Sequence, residues 1–351
     1  MAYRLTLNHL RLLMAAAVLA LLAVGGFCLW VMHWMQAPML LSEAQRDLVI
    51  ARGDSSAQVA AALAEYQNLR WPLIWRGYVW LLEPKTLKAG EYHFAEQISP
   101  VGMLHQFQRG EVVVRSLRFA EGLRFQDWLK ILAEQPKLKH ELTNKTPDEQ
   151  KKLLEFGYAA LEGWFFPDTY QYQAGDSDRE ILMRAHKKMQ QTLEKLWRNR
   201  DRDLPYAGPA EALTMASIVE KETGLAAERP EIAGVFVRRL RLNMRLQTDP
   251  TVIYGLGDAY VGNITHKDLQ QLTPYNTYLI AGLPPSPIAN PGEAALHAAL
   301  HPAPGNSLYF VGRGDGSHEF SATLEQHNKA VERFQRSGRS EKYRSSPTAK
   351  P

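Results

Sequence analysis

The alternation of apolar and polar positions in the first third of the chain predicts a long helix followed by short, mixed elements. Leu12–Met32 is one apolar run of 21 residues, which predicts a single long helix. After it, strand-like alternation and helix-like periodicity take turns, with Ser and Gly at the junctions. These patterns are Leu48–Ala51, Ala57–Tyr66, Gly90–Phe94, Val101–Gln108 and Val112–Phe119. Together they predict a small α+β module over residues 45–120.

The rest of the chain is richer in helical patterns and predicts a larger, helix-rich α+β domain over residues 121–335. Helical periodicity dominates Gln126–Arg200 and recurs in Ala210–Thr223 and Ile232–Leu242. The other recognisable segments are the aromatic-rich Leu161–Tyr170, the loop-rich Leu246–Gly292, the hairpin turn Gly312–Gly316, and a basic tail at 336–351 that we expect to be disordered. A long irregular segment inside a compact domain is usually functional.

The apolar run has the length and the flanks of a membrane anchor. About 20 apolar residues span a bilayer as a helix, whereas the apolar part of a cleaved signal peptide has roughly 7–15. Arg4 and Arg11 precede the run and no acidic residue occurs before Glu43, so the positive-inside rule places residues 1–11 in the cytoplasm. We expect a single-pass inner-membrane protein with an anchor at residues 12–34 and a periplasmic folded part. A long signal peptide is the alternative.

Composition narrows the class of protein further. The 351 residues are 45% hydrophobic and 22% charged, which excludes a largely disordered or collagen-like chain and suggests two or three domains. The net charge of +4 is weak evidence for a nucleic-acid partner, and export argues against one. The single cysteine, Cys28, excludes a disulfide framework or a Cys-rich zinc site within one chain.

The small module over residues 45–120 is similar to the LysM modules that bind cell-wall glycan. The similarity lies in a strand, a helix and a strand within about 35 residues, punctuated by Gly. Many small domains share this pattern, so it is not specific to LysM modules.

Two acids near the end of the helix Ala210–Thr223 are candidates for proton transfer. At 100° per residue from Leu213, Glu220 lies at about 340° on an apolar face, and Glu222 lies at about 180°, also among apolar residues. An acid on an apolar face loses hydration, which raises its pKa and lets it donate a proton near neutral pH. Periodicity does not choose between the two acids. The plainer interpretation is an acid at a helix end that pairs with an arginine.

Two other constellations have plainer interpretations. His297 and His301 are spaced i, i+4 and could ligate a metal, but a packed helix fits better, and we expect neither a metal nor a cofactor. Four arginines could bind an anion, although a solvated face with ion pairs is the simpler alternative; they are Arg238, Arg239, Arg241 and Arg245.

Several longer motifs carry a family resemblance. In chain order they are Leu161–Tyr170, Met215–Thr223, Met244–Gly255, Tyr275–Tyr278, Gly282–Pro285, Asn290–Gly292, His318 with Phe320, and His327 with Asn328. From about residue 45 to 335 the chain resembles the endolytic murein transglycosylase (YceG-like) family. The resemblance implies that Glu220, rather than Glu222, is catalytic. It also implies cleavage of the MurNAc–GlcNAc β-1,4 bond of nascent peptidoglycan with formation of 1,6-anhydroMurNAc, which terminates strand elongation.

The same resemblance implies where substrate and partners are met. The partners expected are peptidoglycan strands, the inner membrane and cell-wall synthesis enzymes. Residues expected to contact the glycan are Glu162, Phe166, Gln247, Thr248, Asp249, Tyr254, Tyr275, Asn276, Thr277 and Tyr278.

Two alternatives remain open from the sequence. A muramidase that hydrolyses the same bond would need a second positioned carboxylate, for which Asp249 and Glu162 are candidates. A non-catalytic, membrane-anchored scaffold would bind peptidoglycan through the small module and would tolerate loss of Glu220.

Overall fold

The computed structural model describes residues 7–83 and 85–336. These fall into two compact units, one running up to Arg115 together with Tyr172–Gly175, and the other comprising Ser116–Gln171 and the residues from Asp176 onward. Residues 1–6 of the predicted cytoplasmic segment 1–11 and residues 337–351 of the predicted basic tail 336–351 lie outside the described residues.

The apolar run forms one uninterrupted helix, α1 (Leu7–Gln36). Within residues 7–83 and 85–336, it is the one helix long and apolar enough to cross a membrane. Its apolar side chains are exposed along most of its length, whereas Met35 near its end is fully buried in the first unit. The prediction of one long helix is confirmed, and its length and apolar surface are compatible with a single membrane anchor.

The first unit consists of short strands and helices. After α1 they are β1 (Met39–Leu40), β2 (Asp47–Ile50), α2 (Ser56–Tyr66), α3 (Pro72–Leu82), β3 (Gly90–His93), β4 (Gln97–Ile98) and α4 (Pro100–Arg109). Strand β2 pairs with β3 in antiparallel register, with Leu48 opposite Tyr92, and β1 pairs with β4. The order β2–α2–α3–β3 is therefore a strand, two helices and a returning strand.

Local capping explains why most of these elements could be predicted. The Ser55 hydroxyl accepts from the Gln58 N–H at the start of α2, and the Ser99 hydroxyl accepts from the Gly102 N–H at the start of α4. Gly110 ends α4 in a left-handed conformation with φ +72°, where glycine has no steric penalty. Helix α3 was not predicted because its residues are apolar on several faces and show no helical alternation.

The core of the first unit is aromatic. Trp75, Tyr92 and Phe107 are fully buried, and the rings of Tyr92 and Phe107 meet edge to face at 4.8 Å. The polar ends of these rings are satisfied, since the Trp75 indole N–H donates to the Pro100 carbonyl at 3.2 Å and the Tyr92 hydroxyl donates to the Lys88 carbonyl at 2.6 Å.

The second unit is richer in helices, as predicted. Its elements are β5 (Arg115–Arg118), α5 (Phe125–Ala133), α6 (Pro147–Leu153), β6 (Thr169–Tyr172), α7 (Asp178–Arg198), α8 (Pro209–Glu222), α9 (Arg229–Arg241), α10 (Asp249–Leu256), α11 (His266–Gln270), α12 (Glu293–Leu300), β7 (Tyr309–Gly312), β8 (His318–Ser321) and α13 (Leu324–Val331). Strands β5 and β6 pair with each other, and β7 and β8 form the predicted hairpin. The helix-rich α+β class is confirmed.

Three sequence expectations need correction. The region Gln126–Arg200 contains the strand β6, and the loop-rich Leu246–Gly292 contains the short helices α10 and α11. The strand predicted at Val112–Phe119 is shorter and spans Arg115–Arg118. The strands β5 and β6 depend on pairing with each other, which their local sequence does not reveal. Helix α11 is only five residues long, and the Thr265 hydroxyl caps it by accepting from the Asp268 N–H.

Helix α8 runs through the middle of the second unit. All residues from Ala212 to Val219 are buried, and α8 packs against α7, α9 and α12. Inside it, the Ser217 hydroxyl donates to the Thr214 carbonyl at 2.7 Å and accepts from the Ile288 N–H at 3.0 Å. This bond fastens the segment before α12 to the last turns of α8, where Glu220 lies.

Candidate active site

Glu220 is held from two sides at the end of α8. Its side chain is 6% exposed. One carboxylate oxygen accepts from the Gly292 backbone N–H at 3.0 Å, and the other accepts from the Arg229 guanidinium at 3.3 Å. The carboxylate is thus fixed in position by donors from the start of α9 and the start of α12.

A second carboxylate lies beside the same arginine. The Arg229 guanidinium is 3.9 Å from the Glu121 carboxylate, and the Glu121 side chain is 48% exposed. A Cβ atom on Gly292 would overlap the end of the Glu121 side chain, so any larger residue there would displace the Glu121 carboxylate. We call Glu121, Glu220, Arg229 and Gly292 the Glu220 cluster.

The surroundings of Glu220 act on its pKa in opposite directions. Burial is the largest effect and raises the pKa, and the negative charge of Glu121 raises it further. The Gly292 N–H and the Arg229 guanidinium favour the carboxylate and lower it, but the net pKa stays above that of an ordinary glutamate. Such a group can hold a proton closer to neutral pH and can still be stabilised once it has lost it.

The cluster assembles because two distant chain segments run side by side. The Gly122 N–H donates to the Asn290 carbonyl and the Asn290 N–H donates to the Leu123 carbonyl, both at 2.9 Å. The Asn290 side chain also accepts from the Phe165 N–H at 3.1 Å, which brings in the aromatic-rich segment. The Lys221 ammonium donates to the Gly122 carbonyl at 3.2 Å and ties this pairing to α8.

Glu222, the other candidate acid, is engaged inside the protein. The Thr248 hydroxyl donates to its carboxylate. Thr248 belongs to a buried hydroxyl network, since its N–H donates to the Thr277 hydroxyl at 3.0 Å and the Thr251 and Thr277 hydroxyls lie 2.8 Å apart. Burial raises the pKa of Glu222 to about 7. This geometry assigns Glu222 to holding the loop before α10 against α8.

Glu162 is a further buried carboxyl, and its contacts differ from those of Glu220 and Glu222. Its carboxylate accepts from the Phe125 N–H at 3.0 Å and from the Tyr254 hydroxyl, and burial raises its pKa to about 7. The Arg124 guanidinium lies 5.3 Å from the Tyr254 ring centroid, and the Tyr275 ring meets that ring at 4.8 Å. Glu162 therefore fixes the start of α5, three residues along the chain from Gly122.

The remaining residues expected to contact the glycan have different hydrogen-bond partners. The Tyr278 hydroxyl donates to Asp249 at 2.7 Å. Gln247 adopts a left-handed conformation with φ +53° and accepts from Arg239. The buried Asn276 side chain donates to the Leu269 and Gln271 carbonyls, at the end of α11.

Phe166 is also buried. It packs under the Lys188 ammonium, which lies 4.9 Å from its ring centroid. Contact of the glycan with any of these residues stays a prediction.

The sequence did not indicate Arg229 or Glu121 as site residues, and Gly292 was noted only as part of the motif Asn290–Gly292. Only the fold brings the three residues to Glu220. The carboxylate that shares an arginine with Glu220 is Glu121, whereas Asp249 and Glu162, the candidates for a second acid, bond to a tyrosine hydroxyl each.

The other constellations take structural roles. The rings of His297 and His301 are 4.4 Å apart, and His301 bonds to Asp201 at 2.8 Å. Throughout residues 7–83 and 85–336, no group of three His, Cys, Asp or Glu side chains could hold a metal ion. Each of the four arginines donates to a backbone carbonyl; Arg239 is buried, whereas Arg241 and Arg245 are exposed.

Proteins with a named activity are similar in sequence to this chain over most of its length. An endolytic murein transglycosylase of Bacillus subtilis is 29% identical, over 89% of this chain and 91% of that protein. One of Streptococcus pneumoniae serotype 2 is 26% identical over 89% of this chain, which spans 63% of that longer protein. The crystal structure of a YceG-like protein from Listeria monocytogenes matches with a TM-score of 0.53 and 32% identity, over 84% of this chain and 99% of that one. The YceG-like family model matches residues 48–333, so the chain belongs to the YceG-like family.

Proposed function

We propose that this protein is an endolytic transglycosylase that cuts peptidoglycan strands internally, with Glu220 as its single acid and base. The observation that carries the proposal is the Glu220 cluster, in which a buried carboxyl with a raised pKa is held by an arginine and a backbone N–H. The relatives named for the same activity support it.

The chemistry needs one group that gives a proton and then takes one back. Protonated Glu220 donates its proton to the oxygen that links MurNAc to GlcNAc, while the bond from that oxygen to C1 of MurNAc breaks. The C6 hydroxyl of the same MurNAc then attacks C1, and the Glu220 carboxylate accepts the hydroxyl proton. A 1,6-anhydro ring closes, Glu220 is protonated again, and no water is consumed.

The neighbours of Glu220 fit these two states. Burial and the charge of Glu121 favour the protonated acid that starts the reaction. The Arg229 guanidinium and the Gly292 N–H stabilise the carboxylate that exists between the two proton transfers. Hydrolysis would require a second carboxylate placed to activate water. Asp249 and Glu162 are engaged with tyrosine hydroxyls, and the carboxylate nearest to Glu220, that of Glu121, lies beside Arg229.

Product analysis tests the reaction directly. Purified full-length protein is incubated with uncrosslinked glycan strands, and the new ends are identified by mass spectrometry. Transglycosylation gives anhydro ends and internal fragments. Reducing ends in their place would identify a muramidase, and intact strands that nevertheless co-sediment with the protein would identify a scaffold.

We further propose that α1 anchors the protein in the inner membrane with its N-terminus in the cytoplasm and both folded units in the periplasm, beside newly made glycan and the enzymes that synthesise it. The support is the apolar surface of α1 and the arginines that precede its apolar run. A reporter that is active only outside the cytoplasm, fused after Pro351, should be active. Activity of a cytoplasm-specific reporter at that position would contradict the orientation.

The first unit is proposed to act as a LysM-like glycan-binding module. Its support is the β2–α2–α3–β3 order, with the two strands paired in antiparallel register. Deletion of residues 45–118 in a Glu220→Gln background should weaken co-sedimentation with purified sacculi. Undiminished binding by a folded deletion variant would assign the module another role.

A further inference from the structure

Helix α3 is apolar on two faces, only one of which is buried. Trp75 and Val79 face the core of the first unit. Leu73, Trp80 and Leu81 lie within about 100° of one another on the opposite face. They are between 67% and 79% exposed. Single exposed apolar residues are ordinary, but three on one face of an eleven-residue helix form a patch that requires a partner.

The charged residues along this stretch of the chain have one sign. Between Glu65 and Glu83 the sequence contains no acidic residue, and its charged residues there are Arg70 and Arg76, both exposed. Arg76 lies at the edge of the apolar face, about 40° from Trp80 and about 60° from Leu73. An apolar helix face flanked by cations is typical of helices that lie in the interface of a membrane with anionic lipids.

The start of α3 lies at the end of the proposed membrane span. About 20 residues cross the hydrocarbon core, so a span that begins after Arg11 ends near Val31. Trp30 is therefore at the far boundary, where tryptophans concentrate. Its ring meets the edge of the Trp71 ring with centroids 5.8 Å apart, and Trp71 immediately precedes α3. The Arg70 guanidinium lies 5.4 Å from the Trp71 ring centroid.

The first unit follows the span without a linker. Met35 is five residues beyond Trp30, about 7.5 Å along the helix axis, and is already fully buried in the core of the unit. Val31 and Trp34 pack against the same core. Lipid at the end of the span therefore meets the surface of the first unit next to Trp71.

We propose that α3 is a second membrane contact, which lies in the boundary between lipid headgroups and acyl chains. Leu73, Trp80 and Leu81 enter the acyl region, and Arg70 and Arg76 meet the phosphates of anionic lipids. The inference rests on the proposed anchor, with which α3 is continuous through Trp30 and Trp71. A single membrane-spanning helix can rotate about its axis. A second contact at α3 therefore holds the first unit in one orientation on the membrane.

Lipid-depth quenching tests this placement in the full-length protein. The protein is reconstituted into nanodiscs of phosphatidylcholine and phosphatidylglycerol, with or without spin-labelled lipid. A polarity-sensitive fluorophore is attached to the native Cys28, which reports on the anchor. In a Cys28→Ser background it is attached instead after Leu73→Cys, Leu81→Cys or, as the matched exposed control on α2, Glu65→Cys.

The expected result is quenching at positions 73 and 81 by lipid labelled high in the acyl chain, several-fold stronger than at position 65. Strong quenching at Cys28 with none above the control at 73 and 81 would overturn the inference and leave the anchor intact. Protection of 73 and 81 from aqueous iodide without lipid quenching would assign the face to a second copy of the chain and also overturn it. Absence of quenching at Cys28 would refute the anchor itself.

Discussion

The charge of Arg229 should set the pH range in which the enzyme works. Replacing Arg229 with Gln removes the guanidinium that lies 3.3 Å from the Glu220 carboxylate, in a pair whose side chains are 11% and 6% exposed. Two unit charges at that distance attract by about 5 kcal/mol at an effective dielectric constant of ~20. Water and Glu121 respond to the change, so we expect the pKa of Glu220 to rise by about 1–3 units, as is usual when a carboxyl loses a neighbouring cation.

The sign of the effect follows from the role of Glu220 as an acid. Because the free enzyme must hold a proton on Glu220, kcat/KM falls as pH rises through its pKa. In Arg229→Gln this alkaline limb should move to higher pH by about 1–3 units. In Glu121→Gln the loss of a negative charge should lower the pKa of Glu220 and move the limb to lower pH by less than about one unit, since Glu121 is half exposed.

The assay is kcat/KM for release of anhydro-ended fragments from purified glycan strands across the pH range. Arg229→Lys, which keeps a positive charge, is the control and should shift the limb less than Arg229→Gln. Thermal unfolding verifies that each variant is folded. Limbs that stay in place, or that move in the same direction in Arg229→Gln and Glu121→Gln, would refute Glu220 as the titrating acid.

Three further predictions concern the residues that hold the site together. Burial raises the folded-state pKa of Glu162 from 4.5 to about 7, so wild-type stability falls as pH rises through that window. Glu162→Gln does not titrate and should not show that loss. Measured by urea unfolding, its free energy of unfolding relative to that of wild type should rise by up to about 3 kcal/mol between pH 4.5 and 8. Gly292→Ala should displace Glu121 and lower kcat/KM with little loss of stability, measured by kinetics and thermal unfolding of the same sample. Thr248→Val should leave the buried Glu222 carboxyl without its donor and lower the free energy of unfolding by about 1–3 kcal/mol.

Periodicity placed two candidate acids on one helix and could not choose between them, whereas the family resemblance names Glu220, which stays a prediction. Helical geometry placed both Glu220 and Glu222 among apolar residues, and the pKa of both is indeed raised by burial. What distinguishes them is the set of partners. Glu222 meets Thr248, whereas Glu220 meets Arg229 and a backbone N–H from residue 292, 72 residues away along the chain. No local pattern contains such long-range convergence.

The same limit applies to the fold. Helix α4 could be predicted because Ser99 and Gly110 mark its ends by their own conformational preferences. Helix α3 could not, because a helix that is apolar on both its buried and its outward face has no periodicity to detect. Whether this segment folds as a helix depends on the residues that it packs against.

The most direct test of the central claim compares Glu220→Gln with Glu222→Gln on purified glycan strands. The amide at position 220 keeps the shape and can accept from the Gly292 N–H, but it cannot give or take the proton. Because one group serves both steps, anhydro product should fall by at least about 10⁴-fold, the top of the range for general acid–base assistance. Glu222→Gln can still accept from Thr248 and should keep most activity. Appreciable anhydro product from Glu220→Gln, beside a folded but inactive Glu222→Gln, would contradict the account.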